Sequence, residues 1–397
     1  VQAAAWTDKS GNYWLFGGYG YDSTGAGAAF LGDLWVYEAD TKLWRWVQGS
    51  SNANDAGTYG VQGAPSTQNV PGARSAASYW TDSSGRFWLF GGFGFDSTNA
   101  EGYLSDLWMF DPTTLQWTWV AGSNLVGAAA VYSGAPASLT PGARYSASAW
   151  ADGVGRLWLF GGNINGPAAS PNEDRNDLWM FEPTTGVWKW QGGSVTIAAA
   201  GNYGALGVEL PSNQPGAREA ASTWVDASGA LWMYGGTTTS ANGTYVGFYN
   251  DLWRFDTSRL EWTWVAGGQS SALTAPTFGQ LGVAAATSSP GSRVNPVVWN
   301  DAAGNLWLFG GGESPSLTTG FGNDLWRFSP NELKWSFMGG ATTLDAAASH
   351  GSLGIAAPSN TPGGVGFATA AQFQGHVLMF GGESNLGPNY SDALWER

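Results

Sequence analysis

A glycine pair closing a short apolar run recurs six times in this chain, and that recurrence limits the folds open to it more than any other feature. The pairs are Gly17-Gly18, Gly91-Gly92, Gly161-Gly162, Gly235-Gly236, Gly310-Gly311 and Gly381-Gly382, and successive pairs lie 74, 70, 74, 75 and 71 residues apart. Self-similarity at a fixed period marks a stack of like supersecondary units. Three further elements keep the same period. Asp-Leu-Trp begins at Asp33, Asp106, Asp177, Asp251 and Asp324, and ends the series as Asp392-Ala393-Leu394-Trp395. A Trp-x-Trp pair follows at Trp44/Trp46, Trp117/Trp119, Trp188/Trp190 and Trp262/Trp264, varied to Trp335/Phe337. Pro-Gly-Ala-Arg opens the next repeat at Pro71, Pro141 and Pro215, becomes Pro-Gly-Ser-Arg at Pro290, and decays to Pro-Gly-Gly-Val at Pro362.

Each repeat reads as four strands. Strand A runs from Ser75 to Trp80 and ends in an Asp-x-x-Gly hairpin turn, Asp82 to Gly85. Strand B is Phe87-Trp88-Leu89-Phe90, strand C is Leu107-Trp108-Met109-Phe110 and strand D is Trp117-Thr118-Trp119-Val120. The turn between C and D, Asp111-Pro112-Thr113-Thr114, carries proline where it presets φ for a type I turn. Four antiparallel strands with glycine and aromatic signatures describe a propeller blade.

The Gly-Gly after strand B, the aromatic of strand C and the Trp of strand D resemble the kelch motif, over nearly the whole chain. The resemblance implies an all-β, six-bladed kelch-type β-propeller, or part of a seven-bladed ring, with strand A lining a central channel. The blades fall at about 1–47, 71–120, 141–191, 215–265, 290–338 and 362–397, forming a single domain of residues 1–397. They are joined by long D–A segments, most of which contain an aromatic-Gly-x-x-Gly element, as at Tyr59-Gly60-Val61-Gln62-Gly63. Recurrence of that element implies that the segments are ordered and lie against one another.

Composition narrows the function. The net charge of −14 repels phosphate backbones and argues against a nucleic-acid partner. No apolar run is long enough for a membrane span. With no cysteine, disulfides, thiolate catalysis and cysteine-ligated metals are excluded. Some kelch propellers are copper oxidases of the galactose oxidase type; their cross-linked Cys-Tyr and paired His ligands cannot be placed on a chain without cysteine. His350 and His376 occupy repeated loop and strand slots and suggest no acid–base partner. The acidic, lysine-poor composition leans toward a secreted or cell-envelope bacterial protein.

All 25 tryptophans fall in strand slots, so they read as packing between blades rather than as a sugar platform. Arg74, Arg144, Arg218 and Arg293 enter strand A in four repeats. They read as planar donors tying the Pro-Gly turn to a neighbouring carbonyl or carboxylate, ahead of a ring of cations at the channel mouth.

Because strands alternate in direction, the short A–B and C–D turns share one face and the long B–C and D–A connections share the other. Variable loops on a rigid scaffold carry recognition. The B–C loops run 19–32, 93–105, 163–176, 237–250, 312–323 and 383–391. They hold the carboxylates Asp22, Asp96, Glu101, Glu173, Asp174, Glu313 and Glu383, one cation, Arg175, and the aromatics Tyr19, Tyr21, Phe93, Phe95, Tyr245, Phe248, Tyr249 and Phe321. Exposed aromatics among acids suit a protein or glycan partner, and Asp22 and Asp96 are candidate Ca²⁺ ligands, although their Gly-[Tyr/Phe]-Asp-Ser-Thr context also describes an Asx-turn. The leading expectation is a secreted or surface binding scaffold with no required cofactor. One alternative is a carbohydrate-active hydrolase or lyase using Glu313 and Glu383, which both follow a glycine step in adjacent repeats. The other is a structural subunit that self-associates through the last blade, whose strand D is missing from the sequence.

Overall fold

The computed structural model describes residues 1–25, 27–164, 174–239, 244–313, 320–373, 375–384 and 391–397. It divides into two compact units. The first is Val1–Ala200 with Gly216–Glu219 and Ala371–Gln374; the second is Gly201–Pro215, Ala220–Ala370 and Gly375–Arg397.

In the first unit, three repeats form antiparallel A-B-C-D sheets. The first holds strands Ala4–Thr7, Tyr13–Tyr21, Ala28–Glu38 and Leu43–Gln48; the second holds Ser78–Thr81, Phe87–Phe90, Leu107–Asp111 and Gln116–Ala121; the third holds Ser148–Ala151, Leu157–Phe160, Leu178–Glu182 and Val187–Gly192. In the second unit the fourth repeat holds Ser222–Val225, Leu231–Tyr234, Leu252–Asp256 and Glu261–Ala266. The fifth holds Val297–Asn300, Leu306–Gly312, Phe321–Ser329 and Lys334–Gly339. The last repeat pairs its B strand His376–Phe380 with its C strand Leu394–Glu396.

Within each unit, successive sheets bury their faces against each other. Trp6, Trp14 and Phe16 of the first repeat share a cluster with Phe87, Leu89, Trp108, Phe110 and Trp117 of the second, and Trp6 stacks on Phe87 with centroids 5.2 Å apart. Sixteen of the 25 tryptophans are buried, which fits packing rather than ligand display. Many also have a repeated polar duty. The strand-B indoles Trp14, Trp88, Trp158, Trp232 and Trp307 donate to the turn carboxylates Asp8, Asp82, Asp152, Asp226 and Asp301 at 2.8–2.9 Å, fixing the A–B turn.

Strand A is shorter than the sequence suggests. Ala76 has φ 52°, and the equivalent Gln2, Ser146, Ala220, Asn295 and Phe367 are also left-handed. This kink cuts the segment in two: Arg74–Ser75 pairs with the B–C connection, and only Ser78–Thr81 joins the blade. The C–D turn likewise carries one residue more than a simple type I turn. Lys42, Leu115, Leu260 and Leu333 sit there at φ 53–60°, where the third repeat has Gly186. A left-handed side chain is strained, and Leu260 is 45% exposed, so it has little packing to lose. Leu260→Gly is expected to raise stability by about 0.5–1 kcal/mol in urea unfolding; a lower midpoint would show that leucine packing outweighs the backbone strain.

Ahead of the second, fourth and fifth repeats the D–A segment runs along the outer edge of strand D of the repeat that follows it. Gly63 and Ser66 donate to the carbonyls of Trp119 and Trp117, Gly207 donates to Trp264, and Ala284–Ala285 pairs with Trp335–Ser336. An open strand edge is a template for unwanted pairing, and this arrangement covers it.

Candidate interaction surface

The Pro-Gly-Ala-Arg arginines are buried. Arg74 forms a two-pronged pair with Asp106 of Asp-Leu-Trp, at 2.7 and 2.8 Å, and also donates to the carbonyls of Gly72 and Gly91. The same carboxylate accepts the Tyr59 hydroxyl at 2.6 Å and the Trp108 indole at 2.7 Å. Arg144, Asp177, Tyr132 and Trp179 repeat this node in the third repeat, and Tyr203 and Trp253 donate to Asp251 in the fourth. Tyr59 and Tyr203 come from the aromatic-Gly-x-x-Gly element and Tyr132 from the matching D–A segment, so in these three repeats the node pins the D–A segment to its blade. Burial pushes the Asp177 carboxyl up, but the Arg144 charge and its hydrogen bonds outweigh this and the net shift is downward. Burial beside Asp177 pushes the Tyr132 hydroxyl up to about 12. Asp33, whose indole partner Trp35 lies at 2.7 Å, is shifted the other way: burial raises its carboxyl.

The B–C connections continue as hairpins beyond the glycine pairs. Phe93–Phe95 pairs with Glu101–Tyr103, Tyr19-Gly20-Tyr21 with Ala28-Ala29-Phe30, and Thr237–Thr239 with Tyr245–Phe248. Both members of each glycine pair have positive φ, and a Cβ on Gly91 would come within 2.6 Å of the Arg144 carbonyl. Glycine is therefore required where the chain bends out of the blade.

Several of the expected recognition residues are structural. Phe95, Phe248 and Phe321 are buried beneath the hairpins rather than exposed, as are Asp96 and Asp174. Asp174 accepts from the Asn163 side chain at 3.0 Å. Asp96 accepts from Thr98, Ala100 and Val126; Asp22 accepts from Thr24, Gly25 and Ala53. Each thereby ties its hairpin tip to the D–A segment, and both carboxyls lie below their ordinary range, Asp22 chiefly through Thr24 and Asp96 through backbone and Thr98 donors that outweigh burial. Among the described residues no three metal-ligating side chains come together. Arg175 donates to the Val195 carbonyl and lies over the Tyr132 ring. Glu173 lies outside the described residues.

Glu313 and Glu383 do not hold like positions. The register pairs Ser75 with Phe93, Val294 with Gly312 and Gly366 with Glu383. Glu383 therefore matches Gly312, while the third glycine of Gly310-Gly311-Gly312 moves Glu313 one step on. One residue reverses the direction of a strand side chain. Glu313 pairs with Arg293 at 2.9 Å, and burial raises the carboxyl of each glutamate.

Other residues remain at the surface. Tyr21 is 60% exposed, and Tyr19, Phe93, Tyr245 and Tyr249 are partly so. In the first unit the rings form a line. Tyr19 meets Phe30 at 5.1 Å, Phe30 meets Phe93 at 5.4 Å, Phe93 meets Tyr103 at 5.1 Å and Tyr103 meets Tyr145 at 5.3 Å. All five are partly exposed, and the line crosses three successive repeats. Glu101, exposed, and Asp22, partly exposed, lie on the same hairpins. Phe30, Tyr103 and Tyr145 were not singled out from the sequence. Their signal was there: Phe30, Tyr103, Phe248 and Phe321 each stand three residues before the Asp of Asp-Leu-Trp, directly across from the residue after the glycine pair in the first two repeats.

A blade locked by a buried Arg-Asp-Tyr-Trp node and a surface built on its B–C hairpins define an all-β repeat scaffold. The chain matches the KLHDC2/KLHL20/DRC7 Kelch-repeats domain over residues 53–276, 224 of its 397 residues, and it belongs to this family of kelch β-propellers. Kelch repeats generally mediate protein–protein interaction. No match was found among the curated proteins.

Proposed function

We propose that the chain is a protein-docking scaffold whose contact surface is the aromatic line Tyr19-Phe30-Phe93-Tyr103-Tyr145 with Tyr21 at its edge. The observation that carries this reading is the continuity of five partly exposed rings across three repeats, on hairpins whose turns are held rigid by Asp22 and Asp96. Rigid aromatic anchors lose little entropy on binding and dominate protein interfaces. The acidic hairpins and the net charge of −14 favour a partner with a basic rim around an apolar patch. The acidic, lysine-poor composition supports placing this function outside the cytoplasm.

Tyr21→Ser with Phe93→Ser removes two rings at the surface. Each interface aromatic is worth about 2 kcal/mol, so partner affinity is expected to fall by a factor of roughly 10²–10³. The thermal midpoint should move little, because neither ring belongs to the buried inter-repeat clusters. Binding measured against a partner captured by the wild-type protein, with Ser83→Glu on the A–B turn as control, checks this. Equal affinity of the double variant and the control would rule out the surface.

A further inference from the structure

Three departures from the repeat, on three separate segments of the fifth repeat, meet at one cleft. The first is Phe278. It takes the place of Tyr59, Tyr132 and Tyr203, and its ring lies against Trp326 and Phe337 at 5.5 and 5.0 Å, as those tyrosines lie against their own strand-C and strand-D aromatics. It has no hydroxyl, so Asp324 lacks the donor that Asp106, Asp177 and Asp251 each receive at 2.6–2.7 Å. The second is Glu313, standing where the first four repeats have Gly20, Gly94, Ile164 and Thr238. The third is Gly322, where they have Leu31, Leu104, Arg175 and Tyr249. A Cβ on Gly322 would lie 2.6 Å from both the Glu313 and Asp324 carboxylates and 2.8 Å from the Arg293 guanidinium, so any side chain there would push these groups aside.

The cleft holds about 420 Å³ and is lined, among the described residues, by Phe278, Glu313, Gly322 and Asp324, by the apolar side chains Leu273, Pro276 and Leu344, and by Thr274, Thr342 and Thr343. Leu273 and Leu344 are exposed, so it opens to solvent. Arg293 is already paired with Asp324 and with Glu313, so this triad carries a net negative charge when Glu313 is ionised, and the nearby Asp345 adds to it. The missing donor, the surplus charge and the apolar walls call for a cation that donates hydrogen bonds and carries a hydrocarbon chain.

We propose that this cleft binds a primary ammonium group on an alkyl stem, the ammonium at Glu313 and Asp324 and the stem along Leu273, Pro276 and Leu344. A lysine side chain of a bound polypeptide and a free alkylamine share this chemistry. The site stands on its own residues and is independent of the aromatic docking surface. The groups around Glu313 are Arg293, Asp324, Asp345 and Tyr234. Burial, opposed by Arg293 and reinforced by Asp324 and Asp345, places the Glu313 carboxyl at about 7. Binding should therefore strengthen as pH rises through neutrality and Glu313 deprotonates.

The test is methyl NMR of Leu273 and Leu344 during titration with n-butylammonium, with Nα-acetyl-lysine methylamide and with n-butanol. A ligand this small is expected to saturate with Kd on the order of 1 mM. Both ammonium compounds should bind and butanol should not. Glu313→Gln and Phe278→Tyr, which refills the hydroxyl position, should each weaken binding at least tenfold, while the docking-surface variant Tyr21→Ser with Phe93→Ser binds as wild type. Tighter binding of the lysine derivative identifies a polypeptide as the source of the ammonium and equal binding a free amine; both uphold the site. Absence of saturable shifts in the wild type, equal binding of butanol, or unchanged binding in both cleft variants overturns it.

Discussion

Asp177→Asn is expected to cost about 3–5 kcal/mol of unfolding free energy, because it strands the Arg144 guanidinium, fully buried, without its counter-charge. Asparagine preserves the shape and can still accept from Trp179 and Tyr132, so the loss isolates the charge. Replacing the pair together, Arg144→Met with Asp177→Leu, should recover only part of the cost, since the apolar exchange removes the stranded charge but leaves the Tyr132 hydroxyl and the Trp179 indole without their acceptor. The pH dependence has a definite sign. The folded-state carboxyl of Asp177 is lowered, so its contribution is complete above the ordinary value of 3.8 and is lost as pH falls through the lowered one. The gap between variant and wild type should therefore narrow in acid. Asp33 holds the same sequence slot with the opposite shift: its raised carboxyl destabilises the fold progressively as pH rises from 3.8 through its folded value. Asp33→Asn should be neutral at pH 7 or stabilising by about 1 kcal/mol, since asparagine still accepts from Trp35. Urea titrations of the variants at two pH values read both effects, and equal losses at Asp33 and Asp177 would refute the node as a charge pair.

Trp179→Ala should be comparably damaging, at about 3–5 kcal/mol, because the indole is completely buried between repeats and its cavity cannot collapse against neighbouring sheets. It would also remove a donor from Asp177. Trp190→Ala, on strand D of the same repeat, removes a ring already 38% in water and should cost about 1 kcal/mol or less. Paired unfolding curves check the contrast. Similar losses at the two positions would mean that the outer strand bears as much of the packing as the inner three.

Much of this architecture is legible from periodicity. Strands B, C and D fall where the apolar runs put them, because residues such as Phe87-Trp88-Leu89-Phe90 are buried on both faces and read as an unbroken run. The arginine of Pro-Gly-Ala-Arg was legible as a tether but its partner was not, since Arg74 and Asp106 are 32 residues apart. Strand A was misjudged because glutamine, alanine, serine and phenylalanine give no warning of the left-handed φ at Ala76 and its equivalents, and the one asparagine among them, Asn295, is a single signal in six repeats. The recognition residues were the least legible. Phe95 and Phe321 look identical to exposed loop aromatics in sequence, and only hairpin register separates them from Phe93 and Tyr19. Register also misled the pairing of Glu313 with Glu383, where a single added glycine reverses which face a side chain takes. Of the three residues that shape the cleft of the fifth repeat, only Glu313 stood out in the sequence, and then for a different pairing; Phe278 and Gly322 gain meaning once folding brings them to it.

The claim that the aromatic line is where a protein partner docks is tested most directly by site-specific photo-crosslinking. A benzophenone amino acid placed at Tyr21 or Phe93, and as controls at Ser83 or Val154 on A–B turns, is irradiated in the native source. The account predicts a discrete covalent protein adduct from Tyr21 and Phe93, and none from the turn positions. Adducts formed equally at all four positions, or only from Ser83 and Val154, would contradict it.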